Sequence, residues 1–138
     1  MSDNALLTIP FVIAGIGLLA IIVILRIILR EQQGTAEMTD ISGYIREGAN
    51  AFLKREIMAI SGFVVALAVL FLVILGWRIV LGFVMGAIFS VTAMVIGMTS
   101  ATQSNVRTAN AARSSSQHAL QMSFRGGGVM GLAIVSLS

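Results

Sequence analysis

Cysteine is absent from this 138-residue sequence, proline, tryptophan, tyrosine and histidine each occur once, and only 11% of residues are charged. Without cysteine the chain has neither disulfides nor thiolate metal sites. A single histidine rules out a multi-histidine metal centre. The charged fraction is less than half of the roughly 25% typical of soluble domains. Hydrophobic residues reach 57% and the mean hydropathy is +0.97. A soluble fold of this composition would expose large apolar patches, so the chain reads as an integral membrane protein. The net charge of +3 and pI near 10.7 could accompany nucleic-acid binding. The basic residues flank apolar segments instead of forming a stripe on a polar face, so no nucleic-acid partner is expected.

Charge is missing from three runs: residues 5–25 and 57–77, of 21 residues each, and residues 79–106, of 28. A spanning helix needs about 20 apolar residues, so the first two match and the third spans with some tilt. The first run lacks a basic leader and ends in Arg26 and Arg30 rather than a small-residue cleavage site, so it reads as a retained helix. Of the nine Lys and Arg residues, all but Arg78 lie outside the turn between the second and third runs. The positive-inside rule then predicts an external N-terminus and two cytoplasmic connections; the shortness of those connections favours a prokaryotic form, in the cell membrane.

The chain divides into a first helix over 5–30, an amphipathic cytoplasmic helix over 36–56, a second membrane helix over 57–77 and a third over 79–103. A cytoplasmic connection follows over 104–124, in which the third helix extends before the chain turns back, and then a truncated fourth helix over 125–138. Thr35 is the expected N-cap of the amphipathic helix. Its apolar positions, Met38, Ile41, Ile45, Phe52 and Leu53, oppose Asp40, Arg46, Glu47, Asn50 and Lys54. Gly76, Trp77 and Arg78 mark a tight hairpin, with Trp77 suited to headgroup level. Gly82 with Gly86, and Gly127 with Gly131, form two GxxxG pairs expected to let helix backbones approach closely. The thirteen residues after Arg125 rise only about 20 Å as a helix, against about 30 Å of hydrocarbon. They are either a short buried piece or a membrane helix that has been cut.

Little chemistry can be assembled from these residues. Ion and proton pathways carry ionisable groups at membrane depth, and the three complete spans have none. Ser61, Ser90, Thr92, Thr99 and Ser100 are expected to bond helix carbonyls, their own or a neighbour's. His118 reads as a solvated loop residue. Glu37, Asp40, Glu47 and Glu56 are too dispersed for a metal site and read as a solvated face with local ion pairs. Gly126, Gly127 and Gly128 match neither the P-loop nor the dinucleotide pattern, so packing is the expected role.

Three stretches carry a resemblance. Residues 44–56 read YIREGANAFLKRE, residues 97–112 read GMTSATQSNVRTANAA, and residues 124–132 read FRGGGVMGL. In this order around the hairpin they resemble the N-terminal part of the membrane-bound, ion-translocating pyrophosphatases. The family pattern is GAxAFL before the second helix, GM-x-x-AT-x-x-N-x-R ending the third and GG-x-VMGL opening the fourth. Gln103 and Ser104 depart from it, standing where the family has an aromatic or small apolar residue and alanine.

The resemblance implies an all-α, multi-pass transmembrane bundle of about sixteen helices in two rings, often a homodimer, that hydrolyses pyrophosphate on the cytoplasmic side and moves protons or sodium outward. It implies magnesium ions held by aspartates on helices from the fifth onward. This sequence corresponds to three outer-ring helices and the start of a fourth. No catalytic, cofactor-binding or metal-binding residue is therefore assigned to it, and Arg107, Arg113 and Arg125 fall on the cytoplasmic connection. The chain is expected to be an inactive piece of scaffold, partnered by the bilayer and the remaining helices. The competing reading is a complete small four-helix membrane protein: an exporter, a channel subunit or an assembly factor.

Overall fold

A computed structural model describes residues 3–137, with side chains from residue 8 onward; the last residue of the fourth segment lies outside the described residues. The described residues form four helices: α1 (Asp3–Arg30), α2 (Ala36–Ile74), α3 (Trp77–Ala112) and α4 (Ser116–Leu137). The first three are long and apolar enough to cross a membrane. The fold is all-α and the protein is a multi-pass integral membrane protein.

The amphipathic segment and the second span are one helix, because nothing between residues 36 and 74 interrupts it. Thr35 caps its start, its hydroxyl accepting from the Met38 amide at 3.4 Å. Gly76, at φ 86°, takes the left-handed conformation that lets the chain reverse directly into α3. At this hairpin Phe71 meets Phe83 edge-on, with ring centres 5.1 Å apart, and the Arg78 guanidinium lies 5.7 Å from the centre of the Trp77 ring.

Helix α3 does not stop at residue 103. It runs to Ala112, and only residues 113–115 separate it from α4. The segment 104–124 is therefore mostly helix on both sides of a tight turn. Its Ser, Asn, Gln and Ala residues lack a proline or a positive-φ glycine that would break the helix. The fourth helix correspondingly begins at Ser116, nine residues before Arg125.

Packing follows a heptad-like rhythm. The buried positions of α3 include Ala93, Gly97, Ser100, Ser104, Arg107 and Ala111, spaced alternately four and three residues apart. On α4 they are Met122, Gly126, Val129 and Ala133, and on α1 Gly17, Ile21 and Ile28. Alternating spacings of four and three place one stripe of each helix on its neighbour at a shallow crossing angle. α4 packs between α1 and α3, while α2 touches α3 alone. The core gathers Ile21, Ile28, Ala93, Met122, Val129 and Ala133.

The glycines that permit this packing are not the predicted pairs. A Cβ on Gly97 would sit 2.7 Å from Met130 Cγ, one on Gly126 would collide with Ser104, and one on Gly17 with Ser136. Gly82, Gly86, Gly127 and Gly131 have nothing within 4 Å of an added Cβ. Both GxxxG pairs lie off the seams because the seams are set by the stripe at Ala93 and Gly97 on α3 and at Gly126 and Val129 on α4.

Candidate functional site

The polar ends of α1, α2, α3 and α4 meet in one junction, built on two turns of α3. Gln103, Arg107 and Asn110 project from one side of that helix because they lie three or four residues apart. Arg107 Nε donates to the Glu31 carbonyl at 3.1 Å, and Asn110 Nδ2 donates to the Gln32 carbonyl at 3.3 Å. Two α3 side chains thus strap the link between α1 and α2. Gly34, at φ 94°, completes the close approach, because a Cβ there would meet Met38 Sδ and Asn110 Oδ1.

Arg107 is only 4% exposed. Its Nη1 donates to the Gln103 carbonyl at 2.7 Å and to Gln103 Oε1 at 3.1 Å. Gln103 Oε1 also accepts from Arg46 Nη2 of α2, at 3.3 Å. Burial first, and the neighbouring Arg46 charge second, push the Arg107 guanidinium below its ordinary value. On the far side of the junction, His118 Nε2 lies 3.6 Å from Glu31 Oε1. His118 stands on the first turn of α4, so it is a helix residue with a carboxylate beside it and not an isolated loop residue.

The other polar residues behave as helix-bound hydroxyls. Ser61 donates to the Ile57 carbonyl at 2.6 Å and Thr92 to the Ile88 carbonyl at 2.8 Å, while Ser100 reaches across to the Gly126 carbonyl at 3.3 Å. The amides of Gly126, Gly127 and Gly128 lie in the middle of α4, where the helix uses them and no anion can. Arg113 caps the end of α3, and Arg125 sits within α4. Glu37, Asp40 and Glu47 are exposed on α2, and among the described residues none of them forms an ion pair.

The junction ties the ends of the helices together. Its only carboxylate within reach of a base is Glu31, and among the described residues no three of His, Asp and Glu come together. A magnesium site needs converging carboxylates, so the described residues do not fit one. Sequence reading missed the junction, since Arg107 and Gln103 look like ordinary polar residues beyond a span. The i, i+4 spacing of Gln103 and Arg107 was the available signal.

Known proteins place this arrangement. The sequence profile of the inorganic H+ pyrophosphatase family matches residues 15–138. A putative K(+)-stimulated pyrophosphate-energized sodium pump of Clostridium tetani is 43% identical over 122 residues, which is 88% of this chain and 18% of that protein. The K(+)-stimulated pyrophosphate-energized sodium pump of Thermotoga maritima is 39% identical, covering 78% of this chain and 15% of the pump. The K(+)-insensitive pyrophosphate-energized proton pump of Methanosarcina mazei is 42% identical, covering 80% and 17% respectively. The chain thus spans less than a fifth of the length of these curated relatives. With the profile match covering most of its length, the chain belongs to the inorganic H+ pyrophosphatase family.

Proposed function

We propose that this chain is helix scaffold from the N-terminal part of a membrane pyrophosphatase, whose complete form couples pyrophosphate hydrolysis to outward transport of protons or sodium. The observation that carries the reading is its near-equal similarity to relatives of both kinds: 43% to a putative sodium pump and 42% to a proton pump. A segment that chose the ion would side with one class. The three uncharged spans support the same division of labour, since an ion path needs ionisable groups at membrane depth.

In the complete pump, water attacks the phosphoanhydride, the bridging P–O bond breaks and two phosphates leave. Magnesium, which the described residues do not fit, would be held there by carboxylates elsewhere in the pump and would supply charge neutralisation. The residues of this chain hold the membrane helices in register around that machinery, within a homodimer in a prokaryotic cell membrane. The junction faces the cytoplasm and the N-terminus lies outside, because Arg26, Arg30, Arg46, Lys54, Arg55, Arg107, Arg113 and Arg125 all flank the spans at the junction end.

Two measurements test this. The complete protein releases phosphate from pyrophosphate with magnesium and acidifies or loads vesicles with sodium; the isolated 138-residue chain does neither. Phosphate release by the isolated chain would overturn the scaffold assignment. Because the chain lacks cysteine, Gln33→Cys and Arg78→Cys report sidedness directly. An impermeant thiol reagent applied to intact cells labels position 78 and spares position 33.

A further inference from the structure

One neutral oxygen, Gln103 Oε1, serves two cations, accepting from Arg46 and from Arg107. Among the described residues neither guanidinium lies within 4 Å of a carboxylate. Arg46 Nε is shut off from solvent and has no acceptor. A buried donor without a partner and two adjacent like charges are each costly, and an anion between the guanidinium groups relieves both. The planar fork of arginine suits a carboxylate or a phosphate oxyanion.

Position decides which. Arg46 precedes the second span, which starts at Ile57, by a helical rise of about 16 Å. Arg107 follows the apolar part of the third span, which ends near Met98, by about 13 Å. The headgroup layer extends only about 5–8 Å beyond the hydrocarbon on each side. Both arginine backbones thus lie beyond the headgroup layer, which makes polypeptide the favoured source of the anion and a lipid phosphate the alternative the test must separate. The chain covers 15–18% of the length of the pumps it resembles, which leaves ample polypeptide to supply an acidic side chain.

We propose that Arg46 and Arg107 form a receptor for one Asp or Glu side chain from elsewhere in the same full-length polypeptide, clamping α2 and α3 to the rest of the pump. The clamp rests on the scaffold reading and adds the chemistry of the contact. Gln103 holds the two guanidinium groups together as a neutral spacer, and the incoming carboxylate takes the free Arg46 Nε–H.

A cryo-electron-microscopy map of the full-length wild-type protein is the direct test. The expected result is a carboxylate of the same chain within about 3.5 Å of the Arg46 guanidinium. A lipid phosphate, a free anion, water or a partner subunit's acid in that place would overturn the clamp. Arg46→Glu in the full-length protein lowers the thermal midpoint, and placing an arginine at the acid named by the map restores it. Failure of the charge exchange to restore the midpoint also counts against the clamp. Pyrophosphate hydrolysis by the wild-type protein checks the parent reading separately. Hydrolysis without a carboxylate at Arg46 sinks only the clamp, and a carboxylate there without hydrolysis sinks only the assignment as a pump.

Discussion

The two halves of α3 obey opposite rules. From Trp77 to Thr92 the helix is strongly apolar and buries none of its residues; from Ala93 to Ala112, polar beyond Met98, it buries Ala93, Gly97, Ser100, Thr102, Ser104, Val106, Arg107 and Ala111. In α2 the most apolar 18 residues are wholly unburied. In a water-soluble protein the hydrophobic effect would drive the apolar half inside. Lipid removes that drive, because acyl chains solvate leucine and valine as well as a neighbouring helix does. What then holds helices together is close approach over small residues and hydrogen bonds between them. The buried residues of this half of α3 are accordingly mostly alanine, glycine, serine and threonine, with Val106 and Arg107 besides, and they meet Met122 and Val129 of α4.

Thermal unfolding of the full-length protein would break or sharpen that contrast. The largest effect is expected at Met122, fully buried between α1 and α3, where Met122→Ala leaves a cavity and costs about 3 kcal/mol. A loss below about 1 kcal/mol would mean the seam collapses around the gap and is not tightly packed. Next come two glycines of one helix. Gly126→Ala forces a methyl against Ser104, and overpacking of about 2 kcal/mol outweighs about 1 kcal/mol of helix propensity. Gly131→Ala meets open space and keeps only the gain in propensity, so it stabilises by up to about 1 kcal/mol. Equal effects at the two positions would erase the seam. The smallest effect belongs to Val73, 81% exposed on α2, where Val73→Ala changes stability by less than about 0.5 kcal/mol. A loss rivalling that at Met122 would show that protein, not lipid, covers the open side of the hairpin.

Much of the architecture was legible. The uncharged runs fall almost entirely within the three helices long and apolar enough to cross a membrane, Thr35 announced the start of α2, and the closeness of the second and third runs announced the hairpin. The face of each helix was not legible from the glycine pairs. Gly82 with Gly86 and Gly127 with Gly131 have the right spacing, yet spacing gives a stripe on a cylinder and no direction for it. A fuller reading of small residues would have found the true seam, since Ala93, Gly97, Ser100 and Ser104 already repeat at four, three and four. The extension of α3 past residue 103 was legible in its unbroken polar sequence, but its end at Ala112 and the shortness of the turn before α4 were not. Polar residues end a span without ending a helix, because the backbone bonds are satisfied either way.

The junction was illegible for another reason. Glu31 and Arg46 are far along the chain from Gln103 and Arg107, and the i, i+4 spacing of those two, the one local signal, does not reveal that Arg107 is buried. Burial of an arginine is decided by what folds over it, here the strap between α1 and α2.

The sequence by itself determined that this protein crosses a membrane, roughly where, and to which family it belongs. Those properties follow from the length of uncharged runs and from ordered motifs, both of which are one-dimensional. The tertiary structure alone decided which small residues touch and that two arginines share one amide oxygen. Those outcomes depend on helix rotation and on contacts between distant segments. In lipid, hydrophobicity no longer tells one face of a helix from another, so only packing can choose.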